Sequence, residues 1–163
     1  LTNLVQAMQD VANARLLLVG SGALEKELKQ LVSDLKLDKK IHFREFVPYE
    51  HLIDFASQAQ IAATLLEPIS DNHKFALPNK LFEYLMAGIP VLASNLPQMR
   101  KIVNEYDIGQ IVDLEQDRNL MDALSAMLND KDKLDNYSQN CKKAAKELNW
   151  ETEFKRLNSF LNI

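Results

Sequence analysis

Lys80 and Glu83 stand three residues apart, just after Leu77-Pro78-Asn79, in a run of helix formers that stops at Gly88. Proline has no N–H to leave unpaired and its φ is fixed near the helical value, so Pro78 reads as the first helical residue, with Leu77 held extended before it. The N–H groups of Asn79 and Lys80, and at the margin Leu81, are then free. Free N–H groups at the positive end of a helix dipole make an anion site, and Lys80 adds a full charge to it. Glu83 lies on the same helical side and offers two acceptor oxygens, which suits a vicinal diol such as a ribose. Phosphate at the helix tip with ribose one turn in would match a nucleoside diphosphate. A second reading stands beside this one: Lys80 and Glu83 as a plain helical ion pair worth about 0.3–0.5 kcal/mol.

Other polar residues gather around this helix start. Glu67 to Leu77 (EPISDNHKFAL) shows no regular pattern over eleven residues, and long connections of that kind inside a compact fold are usually functional. Within it Asp71, Asn72 and His73 are candidates for contacts to a sugar, or else solvated loop residues. Gly20-Ser21-Gly22 allows close backbone approach to a phosphate or sugar. It lacks the third glycine of the dinucleotide fingerprint and a plain acidic partner at the next strand's end, which disfavours an NAD site. His42, His51 and His73 have no partners at metal-ligand spacing, and no Gly-x-Ser-x-Gly elbow occurs, so neither a metal nor a serine hydrolase is supported.

These residues need a frame, and the apolar pattern supplies one. Leu1, Leu4, Val5 and Met8 fall at helical spacing, so the sequence opens inside an amphipathic helix and more chain is expected upstream. The apolar run Ala14 to Val19 ends at the glycine turn and is followed by Leu24, Leu28, Leu31, Val32 and Leu35 at helical intervals. Ile41 to Phe43, Ile61 to Leu66, Pro90 to Ala93 and Ile108 to Val112 read as further strands. Helices are expected around Leu52 to Ala59, over Pro78 to Ala87, over Met99 to Val103, and through the C-terminal third. Short strands, apolar throughout and alternating with helices, imply an α/β fold: a Rossmann-like, doubly wound, mostly parallel sheet with helices on both faces. Ligands in such folds bind beyond the carboxyl ends of the strands, which points to the loops Gly20 to Ala23, Arg44 to Pro48, Glu67 to Leu77 and Ser94 to Gln98. One domain is expected over residues 1–163, and the helix of 150–163, with Trp150, Phe154, Leu157, Phe160 and Leu161 on one face, is set off by Asn149 and expected to pack on more than this domain.

The segment PNKLFEYLMAGIPVLAS, Pro78 to Ser94, resembles the hallmark segment of glycosyltransferase family 4, retaining enzymes of the GT-B fold. LLLVGSG (Leu16 to Gly22), IHFREFVPYEHL (Ile41 to Leu52) and the Trp150 helix extend the resemblance over nearly the whole chain. It implies that the chain is the donor-binding half of an enzyme that transfers a sugar from a nucleoside diphosphate sugar, with retention, to a glycan or lipid-linked glycan. The implied roles place the donor ribose on Glu83, the diphosphate on the N–H groups of Asn79 and Lys80, and the base beside Phe46 and Val47. No metal is expected, because helix N–H groups and basic side chains take the leaving charge. A second glutamate is usual in that pattern eight residues before the ribose glutamate, and Phe75 stands there. The acceptor site, and an Arg and a Lys that usually help hold the diphosphate, belong to parts of the protein before Leu1, so this chain alone is expected to bind donor weakly and transfer nothing. A non-catalytic nucleotide-sugar-binding module, or a GT-B epimerase or phosphorylase, is the alternative.

Composition fits that picture. The chain has 163 residues, 47% apolar and 26% charged, with a formal net charge of −4. That is ordinary globular composition, and it carries no basic stripe for nucleic acid. The one cysteine, Cys141, shares a helical face with Leu134, Tyr137, Ala144, Ala145 and Leu148, so it is expected to be buried, and a reducing compartment fits. No apolar run reaches the roughly 20 residues that span a bilayer. The expected location is cytoplasmic, at the inner membrane face if the missing N-terminal domain associates peripherally with lipid, in a setting such as bacterial surface-polysaccharide assembly.

Overall fold

The computed structural model describes residues 1–116 and 119–161. In chain order its elements are α1 (Thr2–Ala7), β1 (Leu16–Val19), α2 (Glu25–Asp34), β2 (Ile41–Arg44), α3 (Tyr49–Ala56), β3 (Ala62–Thr64) and α4 (Asp71–Lys74). There follow α5 (Asn79–Ala87), β4 (Val91–Ser94), α6 (Pro97–Tyr106), β5 (Gly109–Val112), α7 (Asn119–Asn129), α8 (Lys131–Glu147) and α9 (Trp150–Leu161). The expected α/β alternation is therefore present, and every strand pairing is parallel. The helical expectation for 150–163 includes Asn162 and Ile163, which lie outside the described residues.

The strands form two ladders. In one, β1 lies beside β2, from Leu16 opposite Ile41 to Val19 opposite Arg44. In the other the order is β3–β4–β5, with β4 in the middle. Helices cover both faces of β4. Leu92 points into a core built with Leu4 and Val5 of α1, Met8 just after it, Leu28 and Val32 of α2, and Leu124 and Met127 of α7. Its neighbours Val91 and Ala93 point the other way, into a core shared with Leu81 and Leu85 of α5, Met99 and Val103 of α6, and Cys141 and Ala144 of α8. The period-two alternation of a strand thus divides one apolar run between two cores.

Burial on both faces does not extend to β1. Leu16 and Leu18 pack against the α1–α2–α7 core, whereas Leu17 and Val19 are 46% and 43% exposed. That face of β1 is only partly covered, so an apolar strand sits half in solvent.

Two local details also differ from the sequence expectation. Pro78 precedes α5 as its N-cap with φ −73° and ψ 141°, and the helix begins at Asn79. Proline fixes φ only; its ψ stays free to be extended. Glu67 to Leu77 is not patternless either, because Ser70 caps the single helical turn of α4 by accepting from the His73 N–H at 3.3 Å. A serine three residues ahead of a free N–H is enough to close such a turn.

Candidate functional site

Within each ladder the strands run parallel, so the loops after β1 and β2 leave one end of the first ladder and the loops after β3 and β4 leave one end of the second. Two clusters of candidate residues form there. The first lies on the β1–β2 side. Gly20, Ser21 and Phe46 line an open cleft of about 530 Å³ together with Glu25, Lys29, Phe43, Arg44 and Glu45. Gly20 has φ +113°, a conformation that favours glycine and turns the chain out of β1. Gly22 lines the adjoining opening beside Lys26 and Lys29. Phe46 is 78% exposed, while Val47 is buried. Lys29 was not legible as a site residue: it is held by Glu25 at 2.7 Å, one turn away, and reads in sequence as a surface ion pair. Arg44 lies with its guanidinium 4.6 Å from the centre of the Phe55 ring, which ties the end of β2 to α3.

The second cluster lies on the β3–β4 side. Here the Ser94 hydroxyl, buried at the end of β4, accepts from the Leu66 N–H at 2.7 Å and fixes where β3 hands over to the Glu67 segment. Asp71 and Asn72 lie on α4, exposed, and His73 Nδ1 is 3.3 Å from the Glu67 carbonyl oxygen. At the start of α5 no side chain caps the helix. Asn79 and Lys80 occupy its first two positions, where an N–H has no intrahelical acceptor. The Leu81 N–H, by contrast, donates to the Pro78 carbonyl at 3.0 Å and is not free. Gly88 in the left-handed conformation ends the helix, with N–H groups of Gly88 and Ile89 donating back to Leu85 and Tyr84.

The ion-pair reading of Lys80 and Glu83 does not hold. Among the described residues the ion pairs are Lys29–Glu25 and Arg156–Glu153, and no hydrogen bond engages Lys80 Nζ or the Glu83 carboxylate. Glu83 is half-buried. Its charge is felt by Tyr84, whose hydroxyl ionises above the usual range, first because it is buried and then because Glu83 stands beside it. A cation at a helix N-terminus and a half-buried carboxylate, both unpaired, are groups whose electrostatics an anionic, hydroxyl-bearing ligand would satisfy. Helix α3, packed on α5 and met by Arg44 at Phe55, is the element that links the two sides. Among the described residues no group of three His, Cys, Asp or Glu comes together in a way that could hold a metal ion.

Comparison with known structures agrees with the fold. Sucrose-phosphate synthase from Thermosynechococcus elongatus superposes with a TM-score of 0.81 at 22% identity, over 99% of this chain and 41% of that one. HepE of Anabaena, solved with UDP and glucose, gives 0.81 at 17% identity over 98% of this chain and 44% of that one. The C-terminal domain of LpcC from Francisella tularensis, a group 1 family glycosyl transferase, gives 0.69 at 18% identity over 90% of this chain and 75% of that one. The chain spans less than half the length of the first two. No curated sequence matches it significantly. The family profile described as glycosyl transferases group 1 matches residues 1–147. With that match over most of its length, the chain belongs to the group 1 glycosyl transferase family.

Proposed function

We propose that this chain is the donor-binding half of a retaining, family 4 type glycosyltransferase that takes a sugar from a nucleoside diphosphate sugar without a metal. The observation that carries this reading is the start of α5: unpaired Asn79 and Lys80 N–H groups, the Lys80 charge, and an unpaired Glu83 one turn in. When the anomeric carbon leaves the diphosphate oxygen, negative charge grows on the phosphate. Fixed N–H dipoles and a lysine aimed at that charge stabilise the transition state more than the ground state, which is the large term in such a reaction. Glu83 holds the ribose, and the backbone around Phe46 and Val47 frames the base. Gly20, Ser21 and Gly22 line the sugar side with Asp71 and Asn72. The HepE structure with UDP and glucose, a protein of the same fold, supports a uridine nucleotide as the first to test.

The acceptor, a glycan or lipid-linked glycan, binds to an N-terminal domain of the same polypeptide, which also makes any contact with the cytoplasmic face of a membrane. Helix α9 supports a second domain. Asn149 caps it by accepting from the Thr152 N–H at 2.9 Å, and Trp150 and Phe160 on it are 73% and 84% exposed. Such an apolar face suits packing against the other domain. Among the described residues no helix is long and apolar enough to cross a membrane.

Titration of UDP, GDP and ADP, with and without their sugars, tests the reading. At least one nucleotide should bind, and Lys80→Ala and Glu83→Ala should each weaken it by about tenfold or more, since about 1.4 kcal/mol of lost contact is tenfold in affinity. Binding that neither substitution weakens overturns the site. Phe75, exposed at the end of α4 where the family pattern has a glutamate, favours a second reading, a nucleotide-sugar-binding module without transfer. Full-length protein that binds donor yet transfers to no acceptor decides for it.

A further inference from the structure

On the footing of the donor site proposed at α5, we infer that Arg44 is a positioning residue for the nucleotide. Stacked on Phe55, it holds α3, and through α3 the start of α5, at the separation from the Gly20 and Phe46 cluster that one nucleotide has to span.

Helix α3 is lightly anchored for an element between two halves of a site. None of its residues is buried, and neither apolar core includes any of them. Among the described residues the ion pairs lie elsewhere, and the side-chain hydrogen bond at its end, from Ser57 Oγ to the Asp54 carbonyl, is local. A helix with so little buried apolar contact belongs to the readily displaced part of a fold. Two contacts tie it down. It packs on α5, which carries Lys80 and Glu83. Its Phe55, half-buried, has the Arg44 guanidinium 4.6 Å from the ring centre, within reach of cation–π attraction.

Arg44 suits this task because its backbone belongs to the other cluster. It is the last residue of β2 and lies opposite Val19 in the ladder with β1. Its carbonyl accepts from the Gly20 N–H at 2.9 Å, at the turn where Gly20 takes φ +113°. Glu45 and Phe46 follow it directly along the cleft. One residue therefore has its main chain fixed in the Gly20 and Phe46 cluster and its side chain on α3. Among the described residues no hydrogen bond or ion pair engages the guanidinium, and a planar, weakly hydrated guanidinium stacks on a ring more readily than an ammonium does.

A ligand that touches both clusters gains from the second contact only if the first leaves it within reach, and that gain is lost when the two halves stand at the wrong separation. Holding α3 in place before the ligand arrives also removes an ordering cost from binding. Arg44 thus raises affinity without touching the nucleotide, and it does so only for ligands long enough to reach from Phe46 to Lys80.

Affinities measured on the full-length protein test it, with UDP, GDP and ADP as spanning ligands and inorganic pyrophosphate as one that reaches α5 alone. Arg44→Met and Phe55→Leu should each weaken the nucleotide that binds by about fivefold and leave pyrophosphate within about twofold. Phe55→Tyr keeps the ring face and should bind as the parent does. Both losses come from one contact, so the double variant should bind within about twofold of either single one. A loss in Arg44→Met with Phe55→Leu as tight as the parent means that Arg44 touches the nucleotide itself, and overturns the positioning role. An equal loss for nucleotide and pyrophosphate, or a loss that Phe55→Tyr shares, means a general disturbance of the fold and overturns it too. Binding that Lys80→Ala weakens but neither Arg44→Met nor Phe55→Leu changes keeps the donor site and removes this role alone. Binding of no nucleotide, or binding that neither Lys80→Ala nor Glu83→Ala weakens, removes both.

Discussion

Strands β1 and β4 are each four residues long and read alike in sequence, LLLV and VLAS, yet they end in different surroundings. Strand β4 has a strand on each edge and a helical core on each face, and all four of its residues are buried. Strand β1 has one partner and one core, and alternates between half-buried and exposed. An apolar strand reports the environment it suits, whereas its neighbours decide how much of that environment it has. The difference also divides the candidate site: the α5 cluster stands on the tightly packed half, and the Gly20 and Phe46 cluster on the open one.

The sharpest way to test this contrast is with glycines. A Cβ on Gly109 of β5 would overlap the backbone carbonyl of Val91 on β4, so Gly109→Ala has to push two paired strands apart. A loss of about 4 kcal/mol or outright failure to fold is expected, as for other cases where backbone must shift. At Gly22, on the open half, an added Cβ meets nothing within 4 Å, and Gly22→Ala should stay within about 0.5 kcal/mol of the parent. Urea unfolding of both variants compares them directly; equal losses would erase the distinction between the halves. Core truncation gives the next largest effect. Leu92→Ala in β4, with no exposed surface to begin with, should cost about 3 kcal/mol including the cavity it leaves. Leu17→Ala in β1 should cost less than about 1 kcal/mol in this chain, because little area is removed from contact.

Much of this was legible in advance, for reasons that differ by residue. The strands and helices follow from periodicity, which is local, and so does the stop at Gly88, where a left-handed residue was needed. The start of α5 lies one residue later than the sequence implies, because sequence cannot tell Pro78 as N-cap from Pro78 as first helical residue; both leave its missing N–H harmless. The α4 turn is not legible in the sequence, because four residues capped by Ser70 are too short to show a period. Lys80 and Glu83 were legible as a pair but not as an unpaired pair, since spacing sets which side chains share a face and not whether they meet. Lys29 and Arg44 join the cleft through the pairing of β1 with β2, which is a long-range fact.

The Ser94 hydroxyl gives a smaller effect, on the link between core and site. It is buried and holds the Leu66 N–H. Ser94→Ala leaves that N–H without a partner and should cost about 2 kcal/mol. If the α5 reading is right it should also weaken nucleotide binding, because the Glu67 segment that leads to α5 starts at Leu66. A stability loss with unchanged affinity would separate the hydroxyl from the site.

The smallest effect is one of pH, and it probes the packed half from its far side. Cys141 on α8 is fully buried, with its Sγ 3.2 Å from the Ile89 carbonyl oxygen. Burial pushes its thiol up to about 12, since a thiolate there would lose its water. In the unfolded chain the thiol ionises near 9. Below that pH both states keep the proton and stability does not depend on it. From 9 upward the unfolded chain releases a proton that the folded chain retains, so stability falls as pH rises through the window from 9 to about 12. Between pH 9 and pH 10 the parent should lose about 1 kcal/mol relative to Cys141→Ala, whose other titrating groups are the same and cancel in the difference. The native thiol should also resist alkylation at pH 8 until denaturant is added. Rapid alkylation of the folded protein would mean that α8 opens readily, and the packed half would then be less closed than its burial suggests.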